Sequence, residues 1–265
     1  MSDNPILQAT ETINPYRNSL KNIYDRLKWD IKPQSWSSRS HLKKLHNTHV
    51  GKKAVILCNG PSLLKTDFSL LDGVYTIGLN KINLLFDKND YRPDGIVAVN
   101  PLVLEQNASF FNDTDIPLYL DSGASGFIKS RKNVTFLHSA NQVKFARDIS
   151  VSIWQGATVT TVALQLAYYM GFTEVALVGC DHNFAQKGPA NQTVVSGEKD
   201  ESHFDPNYFA GGVKWQLPDL VASEYAYTLA RETFSASGRN VYNCTEGGKL
   251  EVFERMSLDH FINKL

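Results

Sequence analysis

An α/β domain with a mostly parallel sheet and helices on both faces is predicted by three observations. Short, nearly continuous apolar runs recur along the chain, each bounded by polar residues, Gly or Pro. Helical segments fall between these runs rather than after them. The 265 residues, 42% apolar and 20% charged, suffice to bury a substantial core. Strands covered on both faces read as continuous hydrophobic runs, which is the pattern of a parallel sheet sandwiched by helices.

The first 50 residues read as an N-terminal helical arm, with 8 Lys/Arg against 4 Asp/Glu, whereas the rest of the chain holds 19 against 23. From Tyr16 to Trp29, Leu20, Ile23, Tyr24 and Leu27 recur at helical spacing, and Pro33 with the Ser-rich 35–40 stretch closes the helix. A helix this short and only modestly basic is expected to pack on its own domain or on a neighbouring subunit. Homo-oligomerisation and a peripheral membrane contact through residues 1–50 are both open.

Residues 51–265 read as one domain. Its strands are AVILC at 54–58, VYTIGL at 74–79, GIVAV at 95–99, PLYL at 117–120, VTFLH at 134–138, EVALVGC at 174–180 and NVYNC at 240–244. The clearest helix is 157–170, apolar nearly all round and stopped by Gly171. A second runs over 219–236, with Asp219 as N-cap and Gly238 as its stop. Alternation of this kind is Rossmann-like. The polar, Gly- and Pro-bearing stretch within 184–212 is too long for an ordinary connection and reads as a lid.

Lys plus Arg equals Asp plus Glu at 27 each, so no net field draws the chain to nucleic acid or to an acidic membrane, and any partner must be recognised locally. No apolar run approaches the roughly 18 residues of a spanning helix. The start of the chain lacks a signal-peptide core, so the expected location is cytoplasmic, with the inner face of the cell membrane open through the arm. Cys58, Cys180 and Cys244 show no CxxC or Cys/His cluster and read as small buried apolar residues.

An open parallel sheet binds its ligand beyond the carboxyl ends of its strands. The residues just after the strands are Asn59, Asn80, Asn100, Asp121, Asp181 and Asn243. Amides gathered at one crest supply donors and acceptors for a ribose, a base edge or a phosphate, without the carboxylates of a metal cage. The turn CNGPSL at 58–63 adds Gly60 for close backbone approach and Ser62 as a cap whose neighbouring N–H groups attract an anion. It is neither GxGxxG nor a P-loop. Trp154-Gln155-Gly156-Ala157-Thr158 opens the apolar helix, where free N–H groups could hold a phosphate or Thr158 could simply cap. In the lid, His203 is a candidate general base, in competition with Asp181 and His182 on the crest. The Asp113-x-Asp115 pair precedes a strand and so sits at the wrong end for a ligand.

Six motifs in order, NGPSL at 59–63, AVNPLVLEQ at 98–106, VTTVALQLAYYMGF at 159–172, VGCDHNF at 178–184, HFDPNYF at 203–209 and GGKLEVFER at 247–255, resemble the bacterial branch of the 6-hydroxymethylpterin diphosphokinase-like domain. That domain also forms the central part of motility-associated flagellin glycosyltransferases. More distantly, the chain is similar to the family 42 sialyltransferases. The resemblance implies a metal-independent, inverting transferase that takes a CMP-activated nonulosonate as donor and a glycan or glycoprotein hydroxyl as acceptor, with no bound cofactor. It implies that Asn59, Ser62, Asn80 and Asn100 contact the nucleotide and its phosphate, that Gln155, Gly156 and Ala157 line the donor pocket, and that His203 deprotonates the acceptor. Where the sialyltransferases place a Tyr beside the leaving phosphate, this chain has His182, Asn183 and Phe184, leaving Tyr208, His182 and Asn183 as candidates for that role. Two alternatives remain: an ATP- and magnesium-dependent diphosphokinase acting on a hydroxymethylpterin, and a nucleotide- or glycan-binding module without chemistry.

Overall fold

The computed structural model describes residues 14–185 and 188–264; the first 13 residues of the arm, with Gln186 and Lys187 of the lid, lie outside the described part. The main sheet has eight strands in the order β10-β9-β6-β1-β2-β3-β4-β5. These are β1 (Lys53–Leu57), β2 (Tyr75–Leu79), β3 (Gly95–Ala98), β4 (Leu118–Asp121), β5 (Val134–Leu137), β6 (Glu174–Val178), β9 (Asn240–Asn243) and β10 (Glu254–Arg255), and all their pairings are parallel. A two-stranded antiparallel hairpin, β7 (Thr193–Val195) with β8 (Lys214–Gln216), lies in the lid.

Alternate residues of β1 serve two cores. Ala54 and Ile56 belong to one apolar cluster and Val55 and Leu57 to the other, all four fully buried. The helix expected at 157–170 is α5 (Val159–Met170), counting α1 (Pro15–Asp30), α2 (Pro33–Leu45), α3 (Pro101–Gln106) and α4 (Ala108–Asp113) before it. It ends on Gly171 at φ 96°, as an αL cap requires. The helix expected at 219–236 is α6 (Leu220–Ser235), capped by the Asp219 carboxylate on Ala222 N–H at 2.9 Å. A last helix, α7 (Leu258–Asn263), closes the chain. Among the described residues no helix is long and apolar enough to cross a membrane.

The arm departs from expectation. Pro33 does not end it but opens α2, since a proline at the first helical position gives up an N–H that would be unpaired anyway. The serines face inward: Ser38 Oγ accepts from Phe136 N–H at 2.9 Å and His41 Nδ1 meets Thr135 Oγ1 at 2.6 Å, so α2 covers the edge strand β5. The apolar side of α1 is left pointing away from the domain.

Candidate functional site

The chain runs from β1 outward through β2 to β5, then crosses back to place β6 on the other side of β1. The crevice at this reversal of direction is where such sheets bind ligands. A cavity of 290 Å³ opens there, close to the lower end of ordinary small-molecule sites of roughly 300–1,000 Å³.

Three strand-end amides line it. Asn59 Oδ1 and Asn80 Oδ1 are buried with no hydrogen-bond partner among the described residues. A buried acceptor left empty costs about 1–3 kcal/mol, so both residues, which line the cavity, gain from a donor; for Asn80 the buried Tyr208 phenol stands nearby, and for Asn59 a ligand could supply it. Asn100 is already engaged. Its Oδ1 caps α3 through Leu102 N–H at 2.9 Å and its Nδ2 donates to Gln216 Oε1 of the lid at 3.2 Å.

The NGPS turn works differently from the expectation. Ser62 N–H and Oγ–H both donate to the Asp181 carboxylate, at 3.1 and 2.8 Å, so the anion held there is the protein's own. Ser62 is buried and stands outside the cavity lining, whereas Asn59, Gly60 and Asp181 are in it. Asp181 is thus a clamp between the tips of β1 and β6, with its oxygen Oδ2 taking both bonds. Of the other strand-end residues, Asn243 secures its own loop through Leu250 O and Thr245 N–H. Asp121 accepts from Ser139 Oγ at 2.5 Å and, more distantly, from Gln155 Nε2 at 3.4 Å, which orients the Gln155 amide beside the cavity.

The segment before α5 is a tight turn, not helix. Gly156 and Ala157 have φ of 57° and 60°, and Thr158 N–H closes on Gln155 O at 3.2 Å. Thr158 is the N-cap, and Gln155, Ala157 and Thr158 face the cavity. Gly156 does not line it; a Cβ there would lie 2.8 Å from Ala226 and 2.9 Å from Thr161, so its role is close packing. The fully buried Gln165 holds the turn from below, accepting from Trp154 N–H at 3.1 Å and donating to Trp154 O at 2.6 Å. Positive φ in non-glycine residues is a form of local strain. Of the five described residues that adopt it, Asn80, Ala157, His182 and Asn191 all line this cavity.

The lid is closed over the crest. Phe204 N–H donates to Asn59 O at 2.9 Å, and Lys88 pairs with the buried Asp205 at 2.6 Å. Because β7 pairs with β8, the lid runs past residue 212 to Gln216. His203 lines the cavity with its ring stacked on Tyr208 at 4.0 Å and an interplanar angle of 1°. Its Nδ1 meets Asp200 Oδ2 at 2.7 Å. Burial raises the Asp200 carboxyl, but hydrogen bonds from His203 and Ser202 N–H outweigh it and hold the group below its usual value. Tyr208, a candidate for the leaving phosphate, sits behind the imidazole, outside the cavity lining, with its buried phenol driven up by burial. His182 and Asn183 do line the cavity; His182 Nε2 is engaged by Glu224 at 3.0 Å. Asp113 and Asp115 lie at the end of α4 and ahead of β4, away from the crest. The three cysteines are free and buried.

Lys81 pins the lid from below. It is 8% exposed, donates to Tyr208 O and Gln106 Oε1, each at 2.7 Å, and lies 4.8 Å from the Phe209 ring centre. Burial pulls its ammonium down to about 8, with the Asp200 charge opposing. Below that value folded and unfolded chains both carry the proton, and the fold bears the full cost of burying it. Between about 8 and about 10.5 only the unfolded chain binds it, so stability rises with pH. The unfolding free energy of the wild type, measured in urea relative to Lys81→Met, is expected to climb across that window. A flat difference would show an ammonium that is not desolvated.

A family model described as 6-hydroxymethylpterin diphosphokinase MptE-like matches residues 32–187, more than half of the chain. The chain belongs to the MptE-like family. The matched part runs from α2 to the start of the lid and carries every crest residue discussed above except Asn243. No curated protein matches the chain. Among solved structures, this MptE-like protein is similar to the MAf glycosyltransferase from Magnetospirillum magneticum AMB-1, with a TM-score of 0.51 at 17% identity over 85% of this chain. It spans 38% of that protein's length, and at such identity the likeness is one of fold.

Proposed function

We propose that this MptE-like protein is a glycosyltransferase that moves an acidic, nonulosonate-type sugar from a CMP-activated donor to a hydroxyl of a glycan or glycoprotein, without a metal and with inversion. The observation that carries this reading is that Asn59 and Asn80, whose buried amide oxygens have no partner among the described residues, line the same cavity as His203, whose Nδ1 is held by Asp200. The amide oxygens suit the hydroxyls of a ribose or the amino group of cytosine. Among the described residues, no Lys or Arg lines the cavity. An anion there is recognised by neutral donors, for which Asn183 and the Ala157 and Val159 N–H groups at the start of α5 are available, the Gln155 amide N–H being spent on Ser139 and Asp121.

In the transfer step, His203 accepts the acceptor's hydroxyl proton as its oxygen bonds to the anomeric carbon. The bond from that carbon to the phosphate oxygen breaks, and CMP departs with the electron pair. In-line displacement inverts the anomeric centre.

The family description favours a second reading, pyrophosphoryl transfer from ATP to a hydroxymethylpterin. Such transfer calls for carboxylates to hold magnesium. Among the described residues no three His, Cys, Asp or Glu converge, and the cavity carboxylates are engaged, Asp181 with Ser62 and Asp219 as the cap of α6. A thermal-shift comparison separates the readings. CMP at a hundredfold excess over its Kd, without metal, is expected to stabilise the protein by about 2.7 kcal/mol, or roughly 5–10 °C. A shift with ATP and magnesium but none with CMP would sink the proposal. CMP binding with no turnover of any CMP-sugar would leave a binding module instead.

A further inference from the structure

Among the described residues, the outer face of α1 carries an apolar stripe that the fold leaves uncovered. Tyr16, Leu20, Ile23, Tyr24, Leu27 and the C-cap Ile31 form one stripe at three- and four-residue spacing, and each is between 56% and 80% exposed. The opposite face is the docked one: Trp29 is buried and stacks with His138, and Arg26 donates to Val151 O. Lys32, just beyond the helix, reaches Ser125 Oγ at 3.1 Å. His138 follows β5 and Ser125 follows β4, so α1 is seated at the carboxyl ends of the strands, on the same rim of the sheet as the cavity.

The flanks of the stripe decide its occupant. At 100° per residue, exposed Arg17, Lys21 and Lys28 lie side by side along one border of the apolar arc. Two copies joining these stripes antiparallel about a twofold would set that basic border against itself. Joined in parallel, they would set it against Ser19, Arg26 and Asp30, whose carboxylate is already paired with Arg26 and Arg39. Neither arrangement offers a free opposite charge. An apolar arc bearing two tyrosines and bordered by basic residues matches a surface that is apolar within and negative at its boundary. We infer that α1 lies in the interface of an anionic membrane, apolar stripe down, holding the rim of the cavity beside the lipid surface. The inference is independent of the reaction proposed above.

The test is co-sedimentation of the full chain with vesicles of phosphatidylcholine alone and of phosphatidylcholine mixed with phosphatidylglycerol. The wild type is expected to bind the mixed vesicles and not the neutral ones. Lys21→Gln with Lys28→Gln should weaken binding about twenty-fivefold, at about fivefold per charge. Leu20→Ser, Ile23→Ser and Leu27→Ser together should reduce it to background, with thermal midpoint and circular dichroism unchanged because all three side chains are exposed. No binding by the wild type, or equal binding by the serine variant, overturns the inference. So does a dimer in sedimentation velocity that the serine variant dissolves while no vesicle binding occurs, which would assign the stripe to a second copy.

Discussion

Replacing His203 with Ala is expected to lower turnover of the CMP-sugar by about 10²–10⁴-fold while leaving CMP stabilisation intact. The separation follows from where the residue sits. The amides proposed to hold the nucleotide belong to the strand ends and to the turn before α5, whereas His203 enters from the lid. Its Nδ1 is taken by Asp200 at 2.7 Å and one face is covered by Tyr208, which leaves Nε2 for the acceptor. The ionised Asp200 keeps the proton on Nδ1 and so leaves Nε2 as a lone-pair base. Asp200→Asn removes that constraint and should lower kcat by about tenfold or more, with KM for the donor little changed. Unchanged turnover in His203→Ala would remove the imidazole from the chemical step. Loss of CMP binding in the same variant would make His203 part of the nucleotide site instead.

The sequence carries the sheet more fully than the site. Seven of the eight parallel strands are visible in it because a strand buried on both faces must be continuously apolar, as 54–58 and 174–180 are. The eighth, Glu254–Arg255, is two exposed charged residues and has no such signature. α2 is hidden for a related reason. Its inward positions include Ser35 and Ser38, and a serine that completes an edge strand's N–H bond looks, in sequence, like a serine in a loop. The crest asparagines can be found from the rule that ligands sit beyond strand ends, yet that rule cannot tell an amide whose oxygen is unpartnered, Asn59, from one spent on its own turn, Asn243. Asp200 carries no signal in the sequence. It lies three residues before His203 among Glu198, Lys199 and Glu201, and only the fold of the lid turns this one carboxylate inward to 6% side-chain exposure. The same limit applies to Ser62 and Asp181, which are 119 residues apart and each read as a ligand contact until they are found bonded to each other.

Gly60→Ala is expected to cost about 3 kcal/mol of stability, lower the midpoint by roughly 5–15 °C and abolish CMP binding. The backbone is not the reason, since φ at Gly60 is −72° and any residue can adopt it. The obstacle is Asp181: an added Cβ would lie 1.9 Å from its Oδ2 and 2.7 Å from Gly179 O. Neither atom can retreat cheaply. Asp181 Oδ2 is held by two donors from Ser62, and Gly179 O accepts from Gly60 N–H at 2.8 Å. Relief therefore means parting the tips of β1 and β6, which form one wall of the cavity. Gly126→Ala supplies the control, because a Cβ there meets nothing within 4 Å, and it should change stability by less than about 0.5 kcal/mol. Steric conflict also predicts non-additivity. Asp181→Ala loses the clamp by itself, but in combination with Gly60→Ala it removes the atom the new methyl strikes, so the double variant should be more stable than the sum of the two losses allows, by about 1–2 kcal/mol. Strict additivity would mean that the methyl is accommodated elsewhere and that the two strand tips are not locked by this carboxylate.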